Sequence, residues 1–273
     1  MKRLLVLICI ALVTGASSSK QLSWLAVGDS ITYLNDHLDE TGYRVTKGYM
    51  TRVTEDLPAI TYVNKGYNGW TSGDIADEIE KLGLENADVY SVFLGTNDWS
   101  QGRAVGTLND YKNNLGSATL FGAYRIIIDK LKSLNKDAQI MLITPMQRGD
   151  FVYIANNKNN AYGSYKEKNG QTLAQFAEAI IAIGAYENAV VVDLYSDSGI
   201  TVDNTVKYKR LKDPNTGGYR EYYYPDFIDI PFNPETDEYP YPVGAIDMTF
   251  DGLHPSDSGN EIIAKMIEKV IRK

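Results

Sequence analysis

Five short apolar runs rich in β-branched residues punctuate the chain: LSWLAV at 22–27, ITYVN at 60–64, DVYSVFL at 88–94, QIMLIT at 139–144 and AVVVDL at 189–194. Each is apolar along most of its length rather than at alternate positions, the pattern of strands buried on both faces of a parallel sheet. Between the runs the spacing becomes helical, in YMTRVTEDL before the second, DIADEIEKL before the third, residues 124–134 before the fourth and TLAQFAEAIIAIGAY before the fifth. The C-terminal GNEIIAKMIEKVIRK places Ile262, Ile263, Met266, Ile267 and Val270 on one helical face. Strand and helix alternate throughout, which predicts a doubly wound, three-layer α/β/α sandwich around a five-stranded parallel sheet.

Two segments fall outside that rhythm. Residues 206–245 hold Tyr208, Tyr219, Tyr222, Tyr223, Tyr224, Tyr239 and Tyr241 among six prolines and show no sustained period. They read as a long excursion from the domain, and long ordered loops tend to carry function. At the other end, Lys2 and Arg3 precede an apolar run at 4–13, followed by Gly15, Ala16 and Ser17, which is the build of a secretory signal peptide. The run is ten residues long, against roughly 20 for a bilayer crossing. The expectation is a signal peptide at 1–19, a single domain over 20–273, export to the periplasm or medium, and no permanent membrane span.

Composition narrows the chemistry. Cys9 is the only cysteine and lies inside the apolar run, so a cleaved chain would have no disulfide, zinc-thiolate cluster or thiol nucleophile. With two histidines in all, metal-dependent hydrolysis would rest on carboxylates alone. No metal or other cofactor is expected. The formal charge of −8, or −10 without Lys2 and Arg3, repels phosphate backbones and argues against nucleic acid as a partner.

In open α/β sheets the ligand crevice lies beyond the carboxyl ends of the strands. Here the first run enters GDSIT (28–32), the second NKGYNGWTS (64–72) and the third GTNDW (95–99), while DGLHP (251–255) precedes the last helix. Ser30 stands where a hydroxyl can be exposed, but it is a poor nucleophile until a base takes its proton. His254 is the natural base, and Asp251 could accept the other ring N–H and fix the tautomer. Taken alone, GDS is an ordinary turn and His254 a histidine at a helix start with Ser256 as N-cap. The other histidine, His37 in LNDHLDE, reads as a solvated or rim residue. The Ser30 amide, the Gly69 amide and the Asn97 side chain are candidate oxyanion donors from three successive strand ends. Gly66 competes with Gly69 for the second position.

The four blocks GDSIT, NKGYNGWTS, GTND and DGLHP, in this order across nearly the whole chain after 1–19, resemble the SGNH hydrolases, also called GDSL esterases and lipases. The resemblance implies a flavodoxin-like sandwich, a metal-free Ser-His-Asp triad and ester hydrolysis. It assigns Ser30, Asp251 and His254 to the triad and Ser30, Gly69 and Asn97 to the oxyanion hole. GDSI in place of GDSL is a small departure, and the Tyr-rich excursion is particular to this branch.

These residues point to a serine esterase acting on a small-molecule or polysaccharide ester. No long amphipathic lid suggests a lipid interface, whereas Trp70, Trp99 and the excursion tyrosines offer flat faces suited to sugar rings. The expected reaction is removal of a short acyl group, acetyl above all, from a carbohydrate. The alternatives are a lipase or lysophospholipase, and a carbohydrate-binding relative without catalysis.

Overall fold

Along the first apolar run, Leu25 and Val27 enter one layer of the core while Trp24 and Ala26 enter the other. That two-sided burial is why the run lacks polar alternation. The same holds in the fourth run, where Ile140 and Leu142 face one layer and Met141 and Ile143 the opposite one. Ser91 is the polar exception in the third, and its buried hydroxyl accepts the indole N–H of Trp24 at 2.9 Å.

The computed structural model describes residues 21–271, so the expected signal peptide at 1–19 lies outside the described residues. The strands are β1 Leu22–Gly28, β2 Ile60–Gly66, β3 Val89–Phe93, β4 Gln139–Ile143, β5 Phe151–Tyr153, β6 Asn156–Ala161, β7 Val190–Val192, β8 Lys209–Lys212 and β9 Tyr219–Tyr222. The five expected strands form one parallel sheet in the order β2-β1-β3-β4-β7. This is the flavodoxin-like order, with its topological switch between β1 and β3.

The helices are α1 Ser30–Tyr33, α2 Tyr49–Asp56, α3 Ser72–Asp77, α4 Thr96–Ser100, α5 Leu108–Lys112, α6 Leu120–Leu134, α7 Leu173–Glu187, α8 Leu194–Asp197 and α9 Asp257–Ile271. Ile75 of α3, Ile127 of α6 and Ile180 of α7 pack on the face that holds Leu25. Val53 of α2 and Ile263 of α9 pack on the face that holds Trp24. Among the described residues no helix is long and apolar enough to cross a membrane.

Two local expectations need correction, and a third feature was not anticipated. The helix expected over DIADEIEKL stops at Asp77, and the turn beyond it still buries Ile79 and Leu82; the apolar spacing survives without the helix. The excursion at 206–245 is not wholly irregular, because β8 and β9 pair as an antiparallel hairpin. The third concerns β5 and β6, a hairpin that the sequence does not announce. Its second strand, NNKNNA, is polar and largely exposed, so neither propensity nor burial marks it. The excursion packs behind this hairpin through Val206 and Tyr241, which join Val152 in a small apolar cluster. Lys209, itself buried, reinforces the contact with an ion pair to the partly buried Asp150 at 2.7 Å.

Candidate active site

At the end of β1 the chain turns sharply into α1, and Asp29 caps that helix by accepting the Ile31 N–H at 2.9 Å. Ser30 thereby becomes the first helical residue, 9% exposed at the floor of a pocket. Across the pocket, Asp251 accepts the backbone N–H groups of Leu253 and His254 on Oδ1, at 3.0 and 2.7 Å. Its Oδ2 lies 2.7 Å from His254 Nδ1. The turn depends on Gly252, whose φ is +91° and where a Cβ would sit 1.8 Å from the Asp150 carbonyl oxygen.

His254 Nε2 lies 2.8 Å from Ser30 Oγ. With the Asp251 carboxylate facing Nδ1, that nitrogen is the donor and Nε2 is left to accept the Ser30 O–H. Phe250 stacks against the imidazole at 5.8 Å and Phe151 meets its edge at 5.3 Å, so the ring is held on two sides. Ser30, His254 and Asp251 form one hydrogen-bonded line.

Asn97 borders the same pocket from the start of α4. One of its side-chain N–H groups donates to the Trp70 carbonyl at 3.0 Å, leaving the second for the pocket. Gly69 is there too, with φ +75° and no atom within 4 Å of where a Cβ would be. Gly66 is not a border residue: a Cβ on it would meet the Tyr33 amide nitrogen at 2.2 Å, so its role is close packing of β2 against α1.

The pocket encloses about 450 Å³. Its opposite wall is the β5–β6 hairpin, through Phe151, Tyr153, Asn159 and Asn160, with Glu40, Asn68 and Gln101 at its other borders. Asp29 lies buried one residue before the candidate nucleophile, and that burial raises its pKa to about 6 against the pull of the Ile31 N–H, His254 and Arg148. Burial likewise lowers the Arg148 guanidinium to about 10.

The two tryptophans expected at the substrate do not border the pocket. Trp99 is 1% exposed, packs in the core and donates its indole N–H to the Gln171 carbonyl at 3.0 Å. The cause is helical geometry: residues two apart differ by about 200° around the axis, so the turn that aims Asn97 at the pocket aims Trp99 inward. Trp70 stacks on Tyr67 at 4.6 Å and contributes its carbonyl to Asn97 instead of its ring to the pocket. None of the excursion tyrosines borders the pocket either; Tyr241 donates its hydroxyl to the Asp150 carbonyl and braces the hairpin from behind. His37 is half-buried, stacked on Tyr33 at 3.8 Å with Nδ1 2.9 Å from the Tyr33 carbonyl. The hairpin asparagines and Arg148 are among the border residues that sequence reasoning missed, along with Glu40, Asn68, Gln101, Phe151 and Tyr153. Arg148 follows β4 just past its carboxyl end, where the strand-end rule points.

The chain matches the GDSL-like Lipase/Acylhydrolase family over residues 26–262. Among solved structures it is similar to a possible lipase from Chitinophaga pinensis DSM 2588, with 62% identity and a TM-score of 0.91, covering 92% of this chain and 98% of that one. It also resembles the acetyl xylan esterase AlAXEase, with 20% identity and a TM-score of 0.54, over 92% of this chain and 100% of that one. A catalytic mutant of Axe2, an acetylxylan esterase from Geobacillus stearothermophilus, aligns at 16% identity with a TM-score of 0.51, over 92% and 94% of the two chains. At such identities the two esterases share the fold. No curated protein matches the chain.

Proposed function

Because the chain belongs to the GDSL-like lipase/acylhydrolase family, we propose that it is a serine esterase that removes short acyl groups, acetyl above all, from carbohydrates. The observation that carries this reading is the line from Ser30 Oγ through the His254 imidazole to the Asp251 carboxylate, set at the floor of an open pocket. In the proposed reaction His254 Nε2 takes the Ser30 proton as Oγ attacks the ester carbonyl. Asp251 holds the Nδ1–H tautomer and balances the imidazolium. The Ser30 and Gly69 amides and the free Asn97 N–H receive the negative charge of the tetrahedral intermediate. His254 then protonates the leaving alcohol, and water, activated by the same nitrogen, releases the acyl group.

The pocket supports the substrate class. Asn68, Asn159 and Gln101 give its border amide groups suited to hydroxyl groups, and Asn160, whose N–H groups go to the Asn157 and Lys158 carbonyls, adds an amide oxygen. Its volume of about 450 Å³ suits one sugar ring with a small acyl group. The charged leader with its apolar run at 4–13 supports action outside the cytoplasm.

Lipase action is the rival, and the 62% identical relative is described as a possible lipase. Rates on 4-nitrophenyl acetate, butyrate, octanoate and palmitate, beside acetate release from acetylated polysaccharides, separate the two. Rates falling steeply from acetate to octanoate, with acetate released from a glycan, support the proposal. A maximum at octanoate or palmitate would assign the pocket to lipids.

A further inference from the structure

Arg148 borders the pocket, yet its side chain is 1% exposed and two of its three guanidinium nitrogens, Nε and Nη2, have no hydrogen-bond partner. Nη1 makes a long contact of 3.4 Å to the Thr96 hydroxyl, beside Asn97. Nε and Nη2 share one edge of the guanidinium, the fork whose spacing matches the two oxygens of a carboxylate.

Asp251, Asp150 and Asp29 act on the guanidinium charge through space, but their hydrogen bonds go elsewhere. Asp251 serves His254 and two backbone amides. Asp150 serves Lys209, Tyr165 and the Gly163 amide. Asp29 accepts from Ile31.

The arginine is also held in place. Its backbone N–H reaches the Ser164 hydroxyl at 3.1 Å, its carbonyl accepts the Ser164 N–H at 2.8 Å, and the Trp99 ring stands 5.7 Å from the guanidinium carbon. A charged group buried with an unpaired edge is costly unless something completes it. Among the described residues that border the pocket, Arg148 is the only arginine or lysine. At another border the Glu40 carboxylate, which accepts from the Tyr33 hydroxyl at 2.8 Å, repels anions. The border carboxylate Asp251 is already committed to His254, so the free fork of Arg148 is where a substrate carboxylate would find cationic donors.

We propose that the Nε–Nη2 edge of Arg148 receives a carboxylate carried by the ester substrate, either on the sugar as in a uronic acid or at the far end of the acyl group as in a succinyl ester. This inference rests on the esterase reading above and narrows its substrate to acidic esters.

Two matched pairs separate the two sources: an acetylated methyl glucuronoside against the acetylated methyl glucoside, and 4-nitrophenyl hemisuccinate against 4-nitrophenyl pentanoate. The wild type is expected to favour the acid in one pair by at least about tenfold in kcat/KM, the scale of a charged hydrogen-bonded contact. Arg148→Lys keeps the charge and loses the fork, and Arg148→Met loses both; each should cut that preference by about tenfold, with circular dichroism checking that the variant folds. Equal rates within both pairs, or a preference that Arg148→Lys does not move, would overturn the inference while leaving the esterase reading intact.

Binding decides the matter without turnover. Glucuronate or succinate should raise the melting temperature of the wild type at concentrations where glucose does not, and less so that of Arg148→Lys. Anion binding without any ester hydrolysis would sink the esterase reading alone. Equal shifts with anion and glucose would sink the inference alone.

Discussion

His254 Nε2 meets Ser30 Oγ at 2.8 Å although the two residues stand 224 positions apart. The contact exists because β1 and the loop before α9 end at the same edge of the sheet. If the pair acts as one unit, Ser30→Ala and His254→Ala should each lower kcat by about 10⁴-fold or more, and the double variant should lose little beyond either. His37→Ala should be mild, since that ring contacts Tyr33, through the stack and its carbonyl, and does not border the pocket. Initial rates on 4-nitrophenyl acetate check this; losses that multiply in the double variant would mean that the two residues act independently.

Asp251 divides its work between two oxygens, Oδ1 for the backbone and Oδ2 for the ring. Asp251→Asn keeps an acceptor for the backbone but presents an N–H to Nδ1, which drives the ring proton onto Nε2 and removes the base. A drop in kcat of roughly 10³- to 10⁴-fold, with unfolding unchanged to about 1 kcal/mol, is expected. A purely structural Asp251 would reverse that balance between rate and stability.

Asn97→Ala should lower kcat by roughly 100- to 1000-fold with little change in KM, because the free N–H meets charge that appears only in the transition state. A rise in KM at unchanged kcat would make Asn97 a substrate-positioning residue.

The strands were legible because two-sided burial demands continuous apolar runs, and the site because its parts sit at strand ends where ligands gather. Trp99 misled for a reason equally physical. An aromatic residue next to a site motif looks available for stacking, but its position two residues after Asn97 on a helix turns it to the core. The β5–β6 wall was hidden because NNKNNA has neither apolar alternation nor strand propensity, and its pairing comes from tertiary support by the excursion. Arg148 went unmarked because arginine is ordinarily a solvent-facing residue.

The buried Asp29 makes stability depend on pH. Its carboxyl is raised from 3.8 to about 6, so between those values the folded chain holds a proton that the unfolded chain has released. Stability from this group therefore falls as pH rises through that window, by ~3 kcal/mol in all, and is level above it. Asp29→Asn keeps an acceptor for Ile31 and cannot titrate. Relative to the wild type, the variant should gain that amount between about pH 4 and pH 7 in urea unfolding. Parallel curves for the two proteins would show that the carboxyl does not take up a proton on folding.

The nucleophile itself is open to direct chemistry. A fluorophosphonate should react once per chain, abolish esterase activity in step with labelling, and leave its adduct on the peptide that contains Ser30, as read by mass spectrometry. Ser30→Ala should take up none under the same conditions. An adduct on another residue, or esterase activity that survives complete labelling of Ser30, would contradict a mechanism built on that serine.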